Sequence, residues 1–323
     1  MRIGILLGER SGADALRLLT DDLQRTADEG FTSAWLSHIF GVDALTALAV
    51  AGSRVPGIEL GTAVVPTYPR HPGALAQQAR TAALAVGPDR LTLGIGLSHQ
   101  VVIESMYGYG FERPARHMRE YLMVLDPLLE RRPVSFTGET LSGNLQLGIP
   151  DEGRIPVLLA ALGTQMLRLA GRRADGTVLW MTGPATIRDH IAPTIAAAAT
   201  EAGRPPARIV CSLPVLVTDD VDGARARAAE TFATYGTLPS YRAMMDREGA
   251  AGPADLAVIG SEDQVAARIG NIFDAGATEF VASVFAGGTE ARRTRELLAG
   301  LVGRPARSGG PSDHDRAGGM LDE

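Results

Sequence analysis

The stretch Arg90–Gln100 reads R-L-T-L-G-I-G-L-S-H-Q and joins a short apolar strand to a polar end. Leucine and isoleucine alternate through it as in a β-strand, and Gly94 and Gly96 interrupt that pattern. Glycines inside a strand often mark a place where another backbone or a flat ligand comes close. Ser98 and His99 follow directly, so the sequence predicts polar groups where this strand opens into a loop.

Composition limits the classes of protein to consider. The 323 residues could form two ordinary domains or one α/β barrel, which commonly needs about 250 residues. A net charge of -6 without a basic stripe argues against nucleic acid or an anionic membrane as a partner. The single cysteine, Cys211, excludes an intrachain disulfide and cysteine-rich zinc sites. Because the sequence shows neither a signal peptide nor a run of about 18 apolar residues, we expect a cytoplasmic protein.

Strand-like apolar segments alternate with helical patterns along the whole chain. The eight segments are Ile3–Leu7, Phe31–Leu36, Ile58–Val65, the stretch around Leu91–Leu97, Ile155–Ala161, Thr177–Met181, Ile209–Val217 and Glu279–Phe285. Such alternation requires parallel strands with right-handed crossovers, and eight units close most simply into one α/β (β/α)8 TIM barrel. A doubly wound open sheet is the competing fold. A fold of that kind usually has a glycine-rich, nucleotide-binding turn between a strand and a helix. Gly94 and Gly96 lie inside a strand instead, which argues against the open sheet.

Two segments depart from the alternation and predict insertions. Residues Arg131–Gln146 have the pattern of a small hairpin, and a long helical region from Val221 to about Glu248 predicts a cover before the last strand. Residues 1–303 are therefore predicted to form the barrel domain. Residues 304–323 are rich in Gly, Ser, Asp and Arg without an apolar period, which predicts a disordered tail.

In a TIM barrel the active site lies at the carboxyl ends of the strands. The predicted strand ends are Leu7-Gly8, Ser37-His38, Val64–Tyr68, Ser98-His99, Ala161–Gln165, Trp180–Thr182, Val217-Thr218 and Phe285–Gly287. These ends carry no carboxylate pair to hold a metal and no lysine for a Schiff base. An apolar, aromatic and sparsely polar mouth suits a flat organic cofactor, with Leu7, Gly8, Tyr68 and Trp180 predicted to line the substrate site.

Two histidines are the predicted catalytic residues. His99 and His38 both follow barrel strands, and a side chain with a pKa near 6.5 can donate or accept a proton near neutral pH. Each could instead be a structural histidine at a strand end, with its ring nitrogens hydrogen-bonded inside the protein. His71 lies next to a proline and more readily anchors a loop. Gly94, Gly96 and Trp180 could likewise contribute only to packing.

Several motifs resemble those of the luciferase-like oxidoreductases. They are Gly61-Thr62-Ala63-Val64, Pro69-Arg70-His71-Pro72, Leu93–Gly96, Ala160-Ala161-Leu162-Gly163 and Ala174-Asp175-Gly176-Thr177. That family includes flavin-dependent monooxygenases and enzymes that use the deazaflavin coenzyme F420. Trp35 with Ser37-His38 resembles the Trp-x-x-Asp-His strand end of the F420 branch. The sequence departs from that branch at Ser37, where the acidic residue is missing, and at His99, where several F420 enzymes have Glu.

The resemblance implies particular cofactor contacts and a partner. It places a non-proline cis peptide at Ala63–Val64, behind the central ring of the cofactor. It implies further contacts with Ser98 and His99, and with a segment whose N–H groups would meet the phosphate tail, namely Ala161, Leu162, Gly163, Thr164 and Gln165. The same segment could equally be an ordinary helix cap. A homodimer is expected from the resemblance only.

The resulting hypothesis is a coenzyme F420-dependent oxidoreductase on a single barrel, without a metal. A hydride would pass between the deazaflavin and a small organic substrate, while His99, with His38, moves the accompanying proton. The first alternative is an FMN-dependent monooxygenase of the same superfamily. The second is a barrel that binds a cofactor and has lost the chemistry, which the departures at Ser37 and His99 would explain.

Overall fold

Eight parallel strands close into a barrel in the computed structural model, which describes residues 1–305. The strands formed by these residues are β1 (Ile3–Leu7), β2 (Ser33–Leu36), β3 (Glu59–Thr62), β4 (Val65–Pro66), β5 (Leu91–Gly96), β6 (Val134–Thr137), β7 (Ser142–Leu145), β8 (Val157–Leu159), β9 (Gly176–Trp180), β10 (Arg208–Val217), β11 (Val258–Gly260) and β12 (Glu279–Val284). β1 pairs with both β2 and β12, and β9 pairs with β10, which closes the ring β1-β2-β3-β5-β8-β9-β10-β12. The predicted (β/α)8 barrel is confirmed, and the open sheet is excluded.

Helices surround the barrel. They are α1 (Ala15–Asp28), α2 (Ala44–Gly52), α3 (Pro72–Val86), α4 (Pro114–Leu129), α5 (Thr164–Arg173), α6 (Pro184–Thr186), α7 (Ala192–Glu201), α8 (Val221–Thr231), α9 (Pro239–Glu248), α10 (Pro253–Leu256), α11 (Glu262–Asp274) and α12 (Gly288–Leu301). Local sequence explains their starts. Pro72 opens α3, where a missing N–H is harmless, and Ser261 with Gln264 forms a capping box at α11.

The structure refines the predicted strands at two places. The third predicted strand is divided into β3 and β4, which are separated by a cis peptide bond between Ala63 and Val64. An additional strand, β11, pairs with the last residues of β10. The predicted hairpin is present as the antiparallel pair β6–β7. The predicted cover consists of α8, a 3₁₀ turn at Ala233–Thr237, and α9.

An ionic network closes the amino-terminal end of the barrel, which we call the floor. Glu279 is fully buried and accepts hydrogen bonds from Arg208 at 2.8 Å and from the Trp35 indole at 3.1 Å. Arg208 also donates to Glu59 at 2.8 Å. Burial alone would lower the pKa of Arg208, but Glu59 and Glu279 raise it. Since these charged groups are already paired inside the barrel, a ligand is expected at the opposite end.

The barrel interior above the floor is apolar. Its side chains form one cluster: Trp35, Leu158, Val178, Val210 and Val281, with Leu6, Ala63 and Val64 partly buried against them. A larger core lies between the outer faces of the strands and the helices. The barrel occupies most of the predicted domain 1–303, whose boundary stays a prediction. The predicted tail lies outside the described residues from residue 306 onward. Within residues 1–305, no helix has both the length and the apolar character needed to span a bilayer.

Candidate active site

The carboxyl ends of the barrel strands form the end opposite the floor, which we call the mouth. Active sites of TIM barrels lie at this end because the loops that follow the strands meet there. His38 follows β2, His99 follows β5, and Trp180 is the last residue of β9. The closed ring of strands therefore brings these three predicted residues to the same end of the molecule.

One wall of the mouth is formed by the cis peptide bond between Ala63 and Val64, which the resemblance implied. Both side chains are half-buried. Gly94 and Gly96 on β5 face this segment. A Cβ atom on Gly94 would lie 2.0 Å from the Thr62 carbonyl oxygen, and one on Gly96 would lie 2.8 Å from the Val64 side chain. The two glycines therefore accommodate the bulge of the neighbouring strand, which supports their packing role.

His38 is held in one tautomer by the start of α2. Its Nδ1 accepts a hydrogen bond from the Ala44 backbone N–H at 3.2 Å, so the neutral ring carries its proton on Nε2. Burial lowers the pKa of His38, and the coulombic effect of Asp43 offsets this in part. Asp43 Oδ2 lies 3.7 Å from Nδ1 and also binds Arg70 at 2.8 Å. Asp43 thus provides a carboxylate beside His38, whereas position 37 provides only Ser37.

His99 lies at the turn that leaves β5. The preceding residue, Ser98, has a φ of +61°, a left-handed conformation that is uncommon for a residue other than glycine. The His99 ring packs against Tyr241, with ring centroids 5.7 Å apart and planes tilted by 54°. Burial lowers the pKa of His99. At neutral pH the ring is therefore uncharged, with one nitrogen able to accept a proton.

Three aromatic side chains from the cover lie over the mouth: Phe232, Tyr235 and Tyr241, which we call the aromatic lid. Trp180 contacts the rings of Phe232 and Tyr235 at centroid distances of 5.9 and 5.7 Å. Tyr235 packs edge-on against Tyr241 at 5.2 Å, and Tyr241 reaches His99. The aromatic lid thus connects the end of β9 to the end of β5.

The sequence analysis predicted a cover in this region but did not identify the aromatic lid. A signal was available, because aromatic residues make up 5% of the chain and residues 232–241 contain three of them. Their spacing follows no single helical face, since the chain leaves α8, passes through a 3₁₀ turn and enters α9 between them. Periodicity alone could not place them together.

The segment predicted to meet a phosphate tail forms the start of α5. Gly163, Thr164 and Gln165 are exposed there, and no side chain of the described residues caps this helix. The first N–H groups of a helix lack partners within the helix and carry partial positive charge, so they suit an anion. The N–H groups at this start are therefore free to meet an anion, and the contact with a phosphate tail stays a prediction.

Two predicted ligand contacts lie outside the mouth. The side chains of Leu7 and Ala161 are at most 4% exposed and belong to the core between the barrel and the helices. Successive side chains of a strand point to opposite faces, and these two fall on the outer face. Their neighbours Gly8, which is exposed, and Leu162, which is half-buried, are the accessible residues at these strand ends.

Tyr68 lies in a second aromatic group beside the mouth. Its ring stacks on His117 at 4.0 Å with planes 7° apart, and contacts Phe111 at 5.2 Å. His117 Nε2 lies 3.1 Å from the Thr67 hydroxyl. Within the described chain the buried Tyr68 hydroxyl has no hydrogen-bond partner. The sequence analysis predicted Tyr68 as a site residue but did not identify His117.

His117 should make stability depend on pH. Burial lowers the pKa of His117 to about 4, against about 6.5 in the unfolded chain. The unfolded state therefore binds more protons between these values, so the free energy of unfolding falls as the pH falls from about 7 to about 4. We expect this group to contribute at most about 3 kcal/mol of the loss. Urea unfolding across this range should show a smaller loss for His117→Phe than for the original chain. Equal losses would contradict this assignment.

His71 has a structural role and anchors a loop, as predicted. Its Nδ1 accepts a hydrogen bond from the Gly73 N–H at 3.1 Å, and its Nε2 lies 2.9 Å from the Ser142 carbonyl oxygen. Among residues 1–305, no group of three or more His, Cys, Asp or Glu side chains is placed to hold a metal ion.

A cavity of about 290 Å³ lies outside the barrel and is lined in part by Glu248, Asp255 and Arg268. Its carboxylates already have partners. Glu248 accepts hydrogen bonds from the first N–H groups of α6, and Asp255 accepts from the Ala251 and Gly252 N–H groups. Because none of the predicted site residues lines this cavity, the mouth is the better candidate site.

Comparison with known proteins agrees with this architecture. A 5,10-methylenetetrahydromethanopterin reductase from Methanolobus tindarius is 24% identical over 306 residues, which cover 85% of this chain and 91% of that protein. A putative coenzyme F420-dependent oxidoreductase from Mycobacterium tuberculosis is 28% identical over 252 residues, which cover 73% and 72% of the two chains.

A solved structure with the same fold is the oxygenating constituent of 3,6-diketocamphane monooxygenase from Pseudomonas putida, in complex with FMN. It has a TM-score of 0.74 at 17% identity and covers 93% of this chain and 96% of that one. At this identity the likeness concerns the fold. The sequence model of the family described as luciferase-like monooxygenase matches residues 1–279. The chain therefore belongs to the luciferase-like monooxygenase family, as its motifs indicated.

Proposed function

We propose that this protein is a coenzyme F420-dependent oxidoreductase that transfers a hydride between the deazaflavin and a small organic substrate. The observation that carries the proposal is the combination found at one mouth: His38 at the end of β2, His99 at the end of β5, and the free N–H groups at the start of α5. The sequence relative named as a putative F420-dependent oxidoreductase supports the choice of cofactor.

The residues at the mouth fit such a cofactor. Ala63 and Val64 would lie against the ring, and the α5 start at 163–165 would hold the phosphate tail through its free N–H groups. Ser98 and His99, at the end of β5, would lie at the ring edge. When bound, F420 supplies hydride transfer, which no side chain at the mouth could provide.

The protein's own contribution would be proton transfer and exclusion of water. His99, uncharged at neutral pH, would accept the proton of a substrate hydroxyl at its free ring nitrogen, or return it in the opposite direction. His38 would donate a hydrogen bond from Nε2. The aromatic lid would keep water from the reacting atoms, which strengthens every electrostatic interaction inside the site.

An FMN-dependent monooxygenase is the second candidate function. The fold shared with an FMN-bound monooxygenase favours it, as do the departures from the F420 pattern at Ser37 and His99. Both cofactors combine a flat ring with a phosphate-bearing tail, so the wall at Ala63–Val64 and the start of α5 suit either one.

Titration of the cofactor-free protein would separate these functions. F420, FMN and the phosphate-free deazaflavin riboside should each be titrated by fluorescence. We expect F420 to bind at least about tenfold more tightly than FMN, which corresponds to about 1.4 kcal/mol. The riboside should bind more weakly than F420 because it lacks the anion that α5 would hold. Tighter binding of FMN would replace the proposed function by the second one. Binding of F420 without hydride exchange across a substrate panel would indicate a barrel that has lost the chemistry.

The homodimer that the family resemblance implied stays a prediction.

A further inference from the structure

We propose that the Ser212 hydroxyl donates a hydrogen bond to the carbonyl oxygen of the substrate, which identifies the substrates as ketones or aldehydes and the corresponding alcohols. This inference rests on the proposed function, because it names the substrate class of the same site. Three observations carry it: the position of Ser212 in the barrel, its missing hydrogen-bond partner, and its distance around the barrel from the cis peptide wall.

Strand alternation places Ser212 inside the barrel. On β10, Arg208 reaches the floor and Val210 belongs to the interior cluster, so the next residue on that face is Ser212. Ser212 pairs with Trp180 on β9. Trp180 is in turn two residues beyond Val178, which is another member of the interior cluster. Ser212 and Trp180 therefore lie side by side at the level of the mouth.

Ser212 is buried without a partner. The residue is 4% exposed, and its Oγ makes no hydrogen bond to any part of residues 1–305. Buried hydroxyl groups are nearly always paired, since an unpaired one loses its hydration without compensation. Burial raises the pKa of Tyr235, and the Trp180 indole N–H, which is turned toward the Tyr235 hydroxyl, lowers it. The indole therefore has an acceptor within the protein, whereas Ser212 has no partner among the residues that the structure describes. A serine hydroxyl can donate a hydrogen bond, so a carbonyl oxygen would supply the missing acceptor.

The missing acceptor belongs to the substrate side of the site. Around the closed ring, β5, β8 and β9 separate β3 from β10 on one side, and β2, β1 and β12 separate them on the other. Ser212 thus lies diametrically opposite the wall at Ala63–Val64. A flat cofactor against that wall would present its other face toward β10. The aromatic lid above Trp180 adds apolar surface, which fits a substrate with one oxygen on an apolar body.

A pair of probes with the same shape tests this inference. Cyclohexanone and methylenecyclohexane differ in one acceptor oxygen, and their binding to the F420-loaded and the cofactor-free protein can be followed by ligand-observed NMR. We expect the original chain to prefer the ketone, and Ser212→Ala to reduce that preference by about three- to tenfold, the effect of one neutral hydrogen bond. Ser135→Ala, on the exposed face of β6, is the matched control and should leave the preference unchanged. A preference retained in Ser212→Ala would overturn the inference.

Two further measurements separate the remaining explanations. The thermal midpoint of the cofactor-free protein should stay unchanged or rise in Ser212→Ala, because the variant removes an unpaired buried hydroxyl. A lower midpoint would mean that Ser212 has a structural partner such as a bound water, which overturns the inference. Weaker F420 binding with an unchanged ketone preference would assign the acceptor to the cofactor and overturn it too. Failure of the original chain to bind F420 would contradict the proposed function, while the cofactor-free arm would still test Ser212.

Discussion

Replacing His99 with alanine is expected to lower the turnover of the F420-loaded protein by about 100-fold or more, the usual contribution of one positioned acid or base. The affinity for F420 should change by no more than about threefold, because the lost group would act on the proton rather than hold the cofactor. His99 lies at the end of β5 with its pKa lowered by burial, and its ring is packed against Tyr241. Turnover can be followed by the visible absorbance of the deazaflavin, with a substrate panel that includes ketones and secondary alcohols.

Two variants make this prediction specific. His99→Gln keeps a polar side chain of similar length but cannot titrate, so it should be as impaired as the alanine variant if proton transfer is the role. His71→Ala removes a histidine whose contacts are with the backbone of a loop, and it should leave turnover within about twofold of the original. Unchanged turnover in His99→Ala would remove the proposed role. Full activity in His99→Gln would reduce that role to hydrogen bonding.

The barrel, and with it the position of the candidate site at the mouth, could be predicted because both depend on local patterns. Alternation of apolar strands and helices is enough to specify parallel strands, and the strand ends then contain His38, His99 and Trp180. The cis peptide at Ala63–Val64 came from family resemblance, since no periodicity reveals a bond isomer. Which face of a strand each end residue occupies was harder to predict, as Leu7 and Ala161 show. A shift of one residue in the end of a strand moves a side chain from the mouth to the core.

Contacts between residues far apart in sequence could not be predicted. The aromatic lid meets Trp180 and His99 across more than 50 residues, and only the closed barrel brings these rings together. His117 was missed for the same reason, because it lies in α4 whereas its stacking partner Tyr68 lies in the loop between β4 and α3. Ser212 gave no signal at all, since it is one polar residue in an apolar strand. Its unusual property is a missing partner, which becomes visible only after all neighbours are in place.

The buried pair of Arg80 and Glu152 carries the largest expected effect on stability. Both side chains are fully buried, and Arg80 also donates to the Ile149 and Pro150 carbonyl oxygens at 2.7 and 3.1 Å. The pair thereby joins α3 to the segment that leads into β8. Arg80→Ala would leave the Glu152 carboxylate buried without its counterion. We expect the free energy of unfolding to fall by about 3–5 kcal/mol.

Urea unfolding of three variants tests this expectation. Arg17→Ala removes one partner of an exposed ion pair with Asp21 and should cost less than about 1 kcal/mol, which provides the matched control. The double variant Arg80→Met with Glu152→Gln removes both charges, so it should be more stable than Arg80→Ala, because no buried charge is left unpaired. A loss below about 1 kcal/mol in Arg80→Ala would show that Glu152 reaches water or takes up a proton when its partner is removed. The pair would then contribute little to holding this segment against α3.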